Sequence, residues 1–190
     1  MVTLNRIYTR TGDEGTSGLV TGERRAKSDL RFDCIGTIDE VNAAIGMARL
    51  ELAGESQLDG SLARIQNDLF DLGADLATPE EGLREGRTAL RIVDAEVTRL
   101  ESEIDALNAA LEPLRSFVLP GGSRAAAALH LARTIARRGE RVMVGLAARE
   151  VLNPAALKYI NRLSDFLFVA ARFVNDRGTG DILWVPGQNR

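Results

Sequence analysis

The chain has 190 residues, enough for one domain with a substantial core, and 45% of them are apolar while only 5% are aromatic. This composition favours a helical protein over a β-sandwich or barrel, whose strands are rich in β-branched and aromatic residues. The 24 Lys and Arg against 27 Asp and Glu give a net charge of −3. That balance excludes a general attraction to nucleic acid or to an anionic membrane, so any anion site must come from a local concentration of positive groups.

The chain has one cysteine, Cys34, and one histidine, His130. These numbers exclude an intrachain disulfide and a zinc site built from Cys and His clusters. A Ser-His-Asp triad would have to use His130, and no G-x-S-x-G turn accompanies it. Cys34 fits a small buried apolar residue, with a reactive thiol as the alternative. Because neither an apolar signal core nor a run of 18 apolar residues occurs, we expect a reduced, cytoplasmic protein.

Residues 1–30 have no sustained apolar period and place glycines among hydroxyl residues: Gly12, Gly15, Gly18 and Gly22 among Thr9, Thr11, Thr16, Ser17 and Thr21. Such a segment reads as an ordered loop whose backbone amides and hydroxyls can surround a phosphate. Arg10 and Lys27 add positive charge. The loop matches neither the Walker A pattern nor the G-x-G-x-x-G dinucleotide turn. A flexible polar arm is the alternative.

Three helices are predicted next, over residues 33–52, 58–77 and 89–111, because apolar residues recur there at three- and four-residue steps. The third carries an unbroken apolar seam, formed by Leu90, Val93, Val97, Leu100, Ile104, Leu107 and Leu111. A free coiled coil would give a similar seam, but the similar neighbouring helices favour packing within one chain. The connector that follows contains Phe117, which suits either a core position or an aromatic wall for a ligand.

A fourth helix follows Leu119 and has two different faces. Pro120 and two glycines break the preceding segment, Ser123 can cap the first turn, and an alanine run favours helix. One side is apolar, with Leu129, Ala132, Ile135, Ala136, Val142, Met143 and Leu146. The other side is charged, with His130, Arg133, Arg137, Glu140 and Arg141.

The three arginines of this charged side, Arg133, Arg137 and Arg141, are spaced four residues apart. Like charges at that spacing cost about 0.2–0.5 kcal/mol per pair in an isolated helix. A polyanion would convert the repulsion into attraction, since guanidinium groups match phosphate oxygens two at a time. A merely solvated arginine face is the alternative from this helix alone.

The last predicted helix covers residues 153–174, with the polar residues Lys158, Asn161, Arg162, Asp165 and Arg172 off its apolar face. The turn-rich tail after Asn175 contains ILWV, which fits a short extended segment anchored by Trp184. The predicted organisation is a single all-α domain over residues 1–190, with an up-down five-helix bundle over 33–175. Residues 1–30 form its N-terminal loop and 176–190 its C-terminal tail.

Three ordered blocks of the sequence resemble the PduO-type corrinoid adenosyltransferases, also called ATP:cob(I)alamin adenosyltransferases. The blocks are YTRTGDEGTSGL with GERRAKSD, then GTIDEVNAAIG, then LPGGSRAAAALHLARTIARRGER followed by YINRLSDFLFVAARFVN. They span nearly the whole chain, which makes the resemblance far more specific than any single glycine loop. It implies a five-helix bundle that assembles into a homotrimer, with each active site between neighbouring subunits.

The resemblance also implies the reaction. Cob(I)alamin attacks the ribose 5′ carbon of ATP, the cobalt–carbon bond forms, and inorganic triphosphate leaves, usually with Mg²⁺. Such a transferase needs orientation and charge neutralisation more than acid or base residues. Its substrates are ATP and cobalamin, and a reductase and an adenosylcobalamin-dependent enzyme are the expected partners, with no nucleic acid or membrane.

Site residues follow from the matching motif positions. The resemblance implies catalytic roles for Arg137, Glu140 and Phe117. It implies ATP binding by Thr9, Arg10, Thr11, Gly12, Ser17, Gly18, Lys27, Arg137, Arg138, Gly139, Glu140, Arg141 and Asn161. Phe117 matches the aromatic residue that lies beneath the corrin and displaces the lower cobalt ligand, so that four-coordinate cob(II)alamin is reduced more easily. We expect no protein ligand for cobalt, because the cobalt belongs to the substrate; Mg²⁺ arrives with ATP, and the resemblance implies that Glu140 helps to place the ribose or this metal.

Asp39 and Arg133 match a pair that forms a salt bridge between subunits of the family. Several positions depart from the family pattern: Arg10 and Glu14 stand where Lys is common, Gly18 follows Ser17 in place of paired hydroxyl residues, and Gly139 replaces an Ala. A glycine within a helix costs about 0.5–1 kcal/mol, for which close packing against a neighbour would be one reason. A non-catalytic nucleotide- or corrinoid-binding module and a purely structural trimeric bundle are the competing functions.

Overall fold

The computed structural model describes residues 7–83, 86 and 88–190 and consists of five helices preceded by a small hairpin. The hairpin strands are β1, Thr16–Gly18, and β2, Arg24–Ala26, which pair antiparallel with Ser17 opposite Arg25. The helices are α1, Leu30–Arg49; α2, Ser56–Leu76; α3, Asp94–Asn108; α4, Arg124–Ala147; and α5, Pro154–Phe173. The predicted all-α five-helix bundle is confirmed, and the described part of the N-terminal loop, residues 7–29, contains the hairpin.

Three of the helices begin at side-chain caps that the sequence contains. The Asp29 side chain accepts a hydrogen bond from the Arg31 amide at 2.8 Å. Helix α1 therefore begins at Leu30, three residues before its predicted start at Asp33. Ser123 accepts the amide of Ala126 at 3.1 Å and starts α4 where its sequence predicted. Asn153 caps α5, whose first residue is Pro154. Each cap satisfies one of the backbone amides that a helix leaves without an intrahelical partner.

One apolar core joins the helices. Helix α4 packs against both α1 and α5, α3 packs on α5, and α2 packs on α1. Cys34 is fully buried in this core, as predicted, and burial raises the pKa of its thiol to about 12. The thiol is therefore protonated near neutral pH, which favours a packing role.

The prediction that α3 spans residues 89–111 is wrong at both ends, since the helix covers only Asp94–Asn108. Leu90 and Val93 are 55% and 53% exposed. The chain before the helix is extended, because Asp75 of α2 accepts the amide of Ile92 at 3.0 Å and Asn153 donates to the Ile92 carbonyl at 2.7 Å. Ile92 is consequently the buried residue of this segment, in place of its two apolar neighbours.

Candidate nucleotide and corrinoid site

The charged face of α4 presents exposed guanidinium groups. Arg137 and Arg141 are both exposed, and Arg141 donates to the carbonyl of Arg137 at 3.1 Å. Within the described part of the chain, neither has a carboxylate within 4 Å. Arg138 differs, because it forms an ion pair with Glu40 of α1. Two neighbouring cations are therefore available to an anion from outside the chain.

Glu140 lies next to these arginines and contacts α5. The amide nitrogen of Asn161 donates to a carboxylate oxygen of Glu140 at 2.7 Å, and Arg162 donates to the amide oxygen of Asn161 at 2.5 Å. Both Glu140 and Asn161 are half-buried. This chain of hydrogen bonds fixes the orientation of the Asn161 amide, which sequence spacing alone could not specify.

Gly139 lies on another side of α4, buried against α1. A Cβ atom placed there would come within 3.3 Å of the Ile38 side chain and 3.5 Å of Thr37. Close packing within the chain therefore accounts for a glycine in mid-helix, and a methyl group there would require the Ile38 side chain to shift by a few tenths of an ångström.

Arg133 and His130 lie nearer the N-terminal end of the same helix. Arg133 is half-buried, its Nε atom has no hydrogen-bond partner among the described residues, and its pKa is lowered by burial and by Arg137. Asp39 is exposed on α1. The placement of His130 on the charged side is wrong: its side chain is 2% exposed and lies against Phe168 of α5, with the ring centroids 6.2 Å apart.

The N-terminal loop is held together by Arg24, a residue that the sequence did not single out. Its guanidinium donates to the Thr11 carbonyl at 2.6 Å, to the Thr16 carbonyl at 3.1 Å and to the Thr16 hydroxyl at 2.8 Å. Because Arg24 lies eight and thirteen residues from Thr16 and Thr11, no local sequence pattern predicts these hydrogen bonds. Its effect is to fold residues 11–16 back onto the hairpin.

Two other predicted ATP-binding residues meet inside this loop. A Cβ atom on Gly12 would lie 2.9 Å from the ammonium nitrogen of Lys27, and the Lys27 amide donates to the Gly15 carbonyl at 2.8 Å. Thr9 and Thr11 share a hydrogen bond between their hydroxyls at 2.9 Å. Arg10 adopts a left-handed φ of 62°, which is uncommon for a residue with a side chain.

The segment that follows the hairpin and helix α4 border a common groove of about 620 Å³, which Arg137 and Arg141 do not line. Lys27 lines it from the loop, Arg138 from α4, and Thr37 and Glu40 from α1. The groove thus brings a loop residue and a residue of the arginine helix to one cavity, although they are 111 positions apart in the sequence.

Phe117 is 76% exposed, which decides against a core position for it. The C-terminal tail lies beside it: the Trp184 amide donates to the Phe117 carbonyl at 2.8 Å, and the two rings are 5.9 Å apart between centroids. Val118 and Leu183 form a β-bridge, which confirms the extended tail segment. The sequence identified Trp184 only as an anchor, whereas its ring adds to an exposed apolar surface beside Phe117.

Within the described residues, no three His, Cys, Asp or Glu side chains come together in a geometry that could hold a metal ion. None of the helices in that part of the chain is long and apolar enough to cross a membrane.

The structure is therefore that of a five-helix bundle with two exposed arginines on α4 that form no ion pair within the described chain, a glycine-rich hairpin and an exposed aromatic connector, a class of helical protein suited to binding an anion. The family model for cobalamin adenosyltransferase matches residues 7–174, and the chain belongs to this family. It is a transferase, with corrinoid adenosyltransferase activity.

Two corrinoid adenosyltransferases align with more than nine tenths of this chain. A corrinoid adenosyltransferase of Mycobacterium tuberculosis is 48% identical over 192 residues, covering 100% of this chain and 97% of the relative. One of Bacillus subtilis is 46% identical, covering 93% and 91%. Among solved structures, a phenylalanine-to-alanine variant of a PduO-type ATP:corrinoid adenosyltransferase from Lactobacillus reuteri, complexed with cobalamin and ATP, superposes with a TM-score of 0.87. It is 37% identical, and the alignment covers 94% of this chain and 99% of that one.

Proposed function

We propose that the protein transfers the 5′-deoxyadenosyl group of ATP to the cobalt of cob(I)alamin. The electron pair of Co(I) attacks the ribose 5′ carbon, the cobalt–carbon bond forms, and the carbon–oxygen bond breaks with its electron pair going to the triphosphate. The observation that supports this reaction best is the pair of exposed guanidiniums, Arg137 and Arg141, with no carboxylate within 4 Å among the described residues. They can neutralise charge that develops on the leaving triphosphate.

The ATP site is proposed to combine the α4 face with the N-terminal loop. Arg137 and Arg141 would contact phosphates, and Glu140 would help to place the ribose. Asn161, oriented by Glu140 and Arg162, would contact the nucleoside. The other proposed contacts come from Arg138 on α4 and from Thr9, Arg10, Thr11, Gly12, Ser17, Gly18 and Lys27 in the loop. Gly139 is not among them, because it is buried against α1.

Mg²⁺ is proposed to arrive with ATP. Magnesium retains several waters and is commonly held by one or two carboxylates plus substrate phosphates. Glu140 is the carboxylate beside Arg137 and Arg141 that would hold the ion, and the ion would help to neutralise the phosphate charge.

The corrin is proposed to lie over Phe117. Its exposure and the adjacent Trp184 ring provide an apolar surface without a ligand for cobalt. A phenyl ring in the lower axial position would exclude the lower ligand and leave cob(II)alamin four-coordinate. Loss of that donor stabilises the electron-rich metal and makes reduction to cob(I)alamin easier.

The active form is proposed to be a homotrimer in which Asp39 of one subunit pairs with Arg133 of the next, so that the site lies between subunits. Arg133 supports this because it is half-buried with an unsatisfied Nε, and half-burial of a cation without an acceptor is costly. A reductase and an adenosylcobalamin-dependent recipient enzyme in the cytoplasm are the expected partners.

The test of the proposed reaction is formation of adenosylcobalamin and triphosphate from ATP and chemically reduced cobalamin, followed by absorbance and phosphate analysis. Binding of both substrates without product would favour a non-catalytic binding module instead. Binding of neither would leave only the structural bundle.

Phe117→Ala tests the corrin site. We expect a smaller four-coordinate fraction in the absorption and EPR spectra of bound cob(II)alamin, with ATP affinity retained, since the alanine cannot fill the lower axial position. Phe70→Ala is the matched control, because Phe70 is a similarly exposed phenylalanine on α2, at 74%. Spectra identical to those of the unchanged protein would contradict the assigned role.

A further inference from the structure

A cluster of three charged residues lies where the hairpin meets the bundle, and the proposed reaction does not use it. Glu150, just after α4, accepts from two arginines: Arg25 of β2 through one carboxylate oxygen at 2.7 Å, and Arg31 of α1 through the other at 2.6 Å. We call Arg25, Glu150 and Arg31 the hairpin anchor. It connects the loop that precedes α1 to the end of α4.

The bundle side of the anchor is rigid and buried. Arg31 is 1% exposed and donates to the carbonyl of Leu76, the last residue of α2, at 2.5 Å. The Glu150 amide donates to the Leu146 carbonyl at 2.9 Å, which fixes this residue against the end of α4. A buried guanidinium needs a compensating charge, so Glu150 is held in place by the cation it neutralises.

The hairpin side of the anchor reaches the proposed ATP contacts through the backbone. Arg25 pairs with Ser17 across the hairpin, and neighbouring strand residues point to opposite faces. Arg25 therefore turns to the bundle while Arg24 turns to the loop, where it donates to the Thr11 carbonyl. Lys27 follows two residues later and is tied to Gly15.

Other contacts also hold β2. The buried side chain of Leu19 and the hydrogen bond from the Val20 amide to the Ala77 carbonyl, at 3.0 Å, hold the turn that precedes it. Arg25 itself also pairs with Glu23 at 2.8 Å, inside the hairpin, and lies 3.8 Å from Asp29, the residue that caps α1. Strands of three residues have too few backbone bonds to be stable alone. The Arg25–Glu150 bond is the charged side-chain link that joins this hairpin to the end of α4.

We propose that Glu150, acting through Arg25, is a positioning residue that presets the N-terminal loop for the triphosphate of ATP. The proposal depends on the proposed function, because it assumes that this loop contacts ATP. In this proposal Glu150 does not contact substrate. It links the loop to the helix that carries Arg137 and Arg141, so that the loop keeps its position relative to these arginines.

The experiment measures steady-state kinetics and amide hydrogen exchange for Arg25→Gln, Arg25→Lys and Glu150→Gln. Arg25→Gln removes the charged hydrogen bonds to Glu150 and to Glu23, and we expect it to raise the KM for ATP about tenfold, with kcat and the KM for cobalamin within about twofold. Arg25→Lys should recover part of that loss. Exchange should rise at the hairpin amides of Leu19 and Lys27 and stay unchanged in α5.

Arg64→Gln is the matched control, since Arg64 pairs with Glu103 between α2 and α3 at 2.7 Å and has no contact with the hairpin. Arg25→Gln keeps the buried Arg31–Glu150 pair, so the test stands even where Glu150→Gln folds poorly. The double variant Arg25→Gln/Glu150→Gln should raise the KM for ATP no more than the larger single effect.

An unchanged KM for ATP in Arg25→Gln would overturn the proposal, as would an equal loss for both substrates. The proposed function fails differently: ATP would then give no exchange protection to residues 7–28 of the unchanged protein. Protection there, combined with normal kinetics of Arg25→Gln, would reject the anchor and leave the ATP site in place.

Discussion

The two proposed halves of the ATP site are built in contrasting ways. The α4 half is a face of a 24-residue helix packed on both sides, and its key contact, Asn161 with Glu140, joins two long helices. The loop half is a hairpin of two three-residue strands, held by the side chains of Arg24 and Arg25. Helix packing thus fixes the arginines of α4, while a few charged hydrogen bonds hold the loop.

This contrast predicts that helix variants change the chemical step and loop variants change ATP binding. The largest effect should come from Arg137→Ala. Removal of one donor that stabilises developing charge typically lowers kcat by about 10²–10³. The fold and the trimer should survive, because the Arg137 side chain is exposed.

The turnover rate of the Arg137→Ala variant at saturating ATP tests the loss of kcat. Circular dichroism tests whether the fold is retained, and the mass in solution tests whether the oligomeric state is unchanged. Arg124→Ala is the control, since Arg124 is an exposed arginine at the first position of the same helix. Near-normal turnover of Arg137→Ala would remove the helix half from the mechanism.

A smaller effect, on ATP binding and not on the chemical step, is expected for Gly12→Ala. The added methyl group would lie 2.9 Å from the Lys27 ammonium nitrogen, so this flexible side chain must move. We expect the KM for ATP to rise up to about tenfold, the loss of one charge-assisted hydrogen bond, with kcat nearly unchanged. Gly73→Ala, a helical position with no atom within 4 Å of the new Cβ, is the control. A fall in kcat without a change in KM would reverse the assignment of roles.

The smallest predicted effect is a pH dependence of folding stability, caused by His130 on α4. Burial, and then the nearby charge of Arg133, lower the pKa of His130, while Asp181 opposes them. The unfolded chain therefore binds the proton more readily than the folded one. Stability from neutral His130 is complete above its ordinary pKa of 6.5 and decreases as the pH falls from there toward the lowered pKa.

Thermal unfolding from pH 8 to pH 5 measures this linkage. His130→Gln should lose less stability on acidification than the unchanged protein, with each kcal/mol corresponding to roughly 2–4 °C in Tm for a chain of this size. Parallel pH profiles for the two proteins would show that His130 does not titrate on unfolding.

Local pattern predicted the helices well and their ends poorly. The apolar period located all five, and Ser123 fixed the start of α4, because a capping hydroxyl acts within three residues. The start of α3 depends on Asp75 and Asn153, which are distant in sequence from Ile92. Helical periodicity also placed His130 with the arginines, whereas Phe168 of α5 covers it.

Like the helices, the site residues could be predicted where their sequence signal is local and not where it depends on distant contacts. The spacing of Arg137 and Arg141 put two guanidiniums on one helix face before any fold was known, since helix geometry is local. Arg24, Arg25 and Glu150 had no local signal, because the contacts of Arg24 with the loop and of Arg25 with Glu150 span 8 to 125 positions. Trp184 was predicted as an anchor of the tail, but its position beside Phe117 was not predicted.

The sequence by itself determined the helical class, the cation-bearing face of α4 and the family resemblance, since periodicity and ordered motifs are properties of the chain. Only the tertiary structure decided that Phe117 is exposed beside Trp184, that Arg133 is half-buried without an acceptor in the described chain, and that the loop is fastened at Glu150. Those three outcomes depend on which elements pack together. Burial and long-range hydrogen bonds exist only after the helices have met.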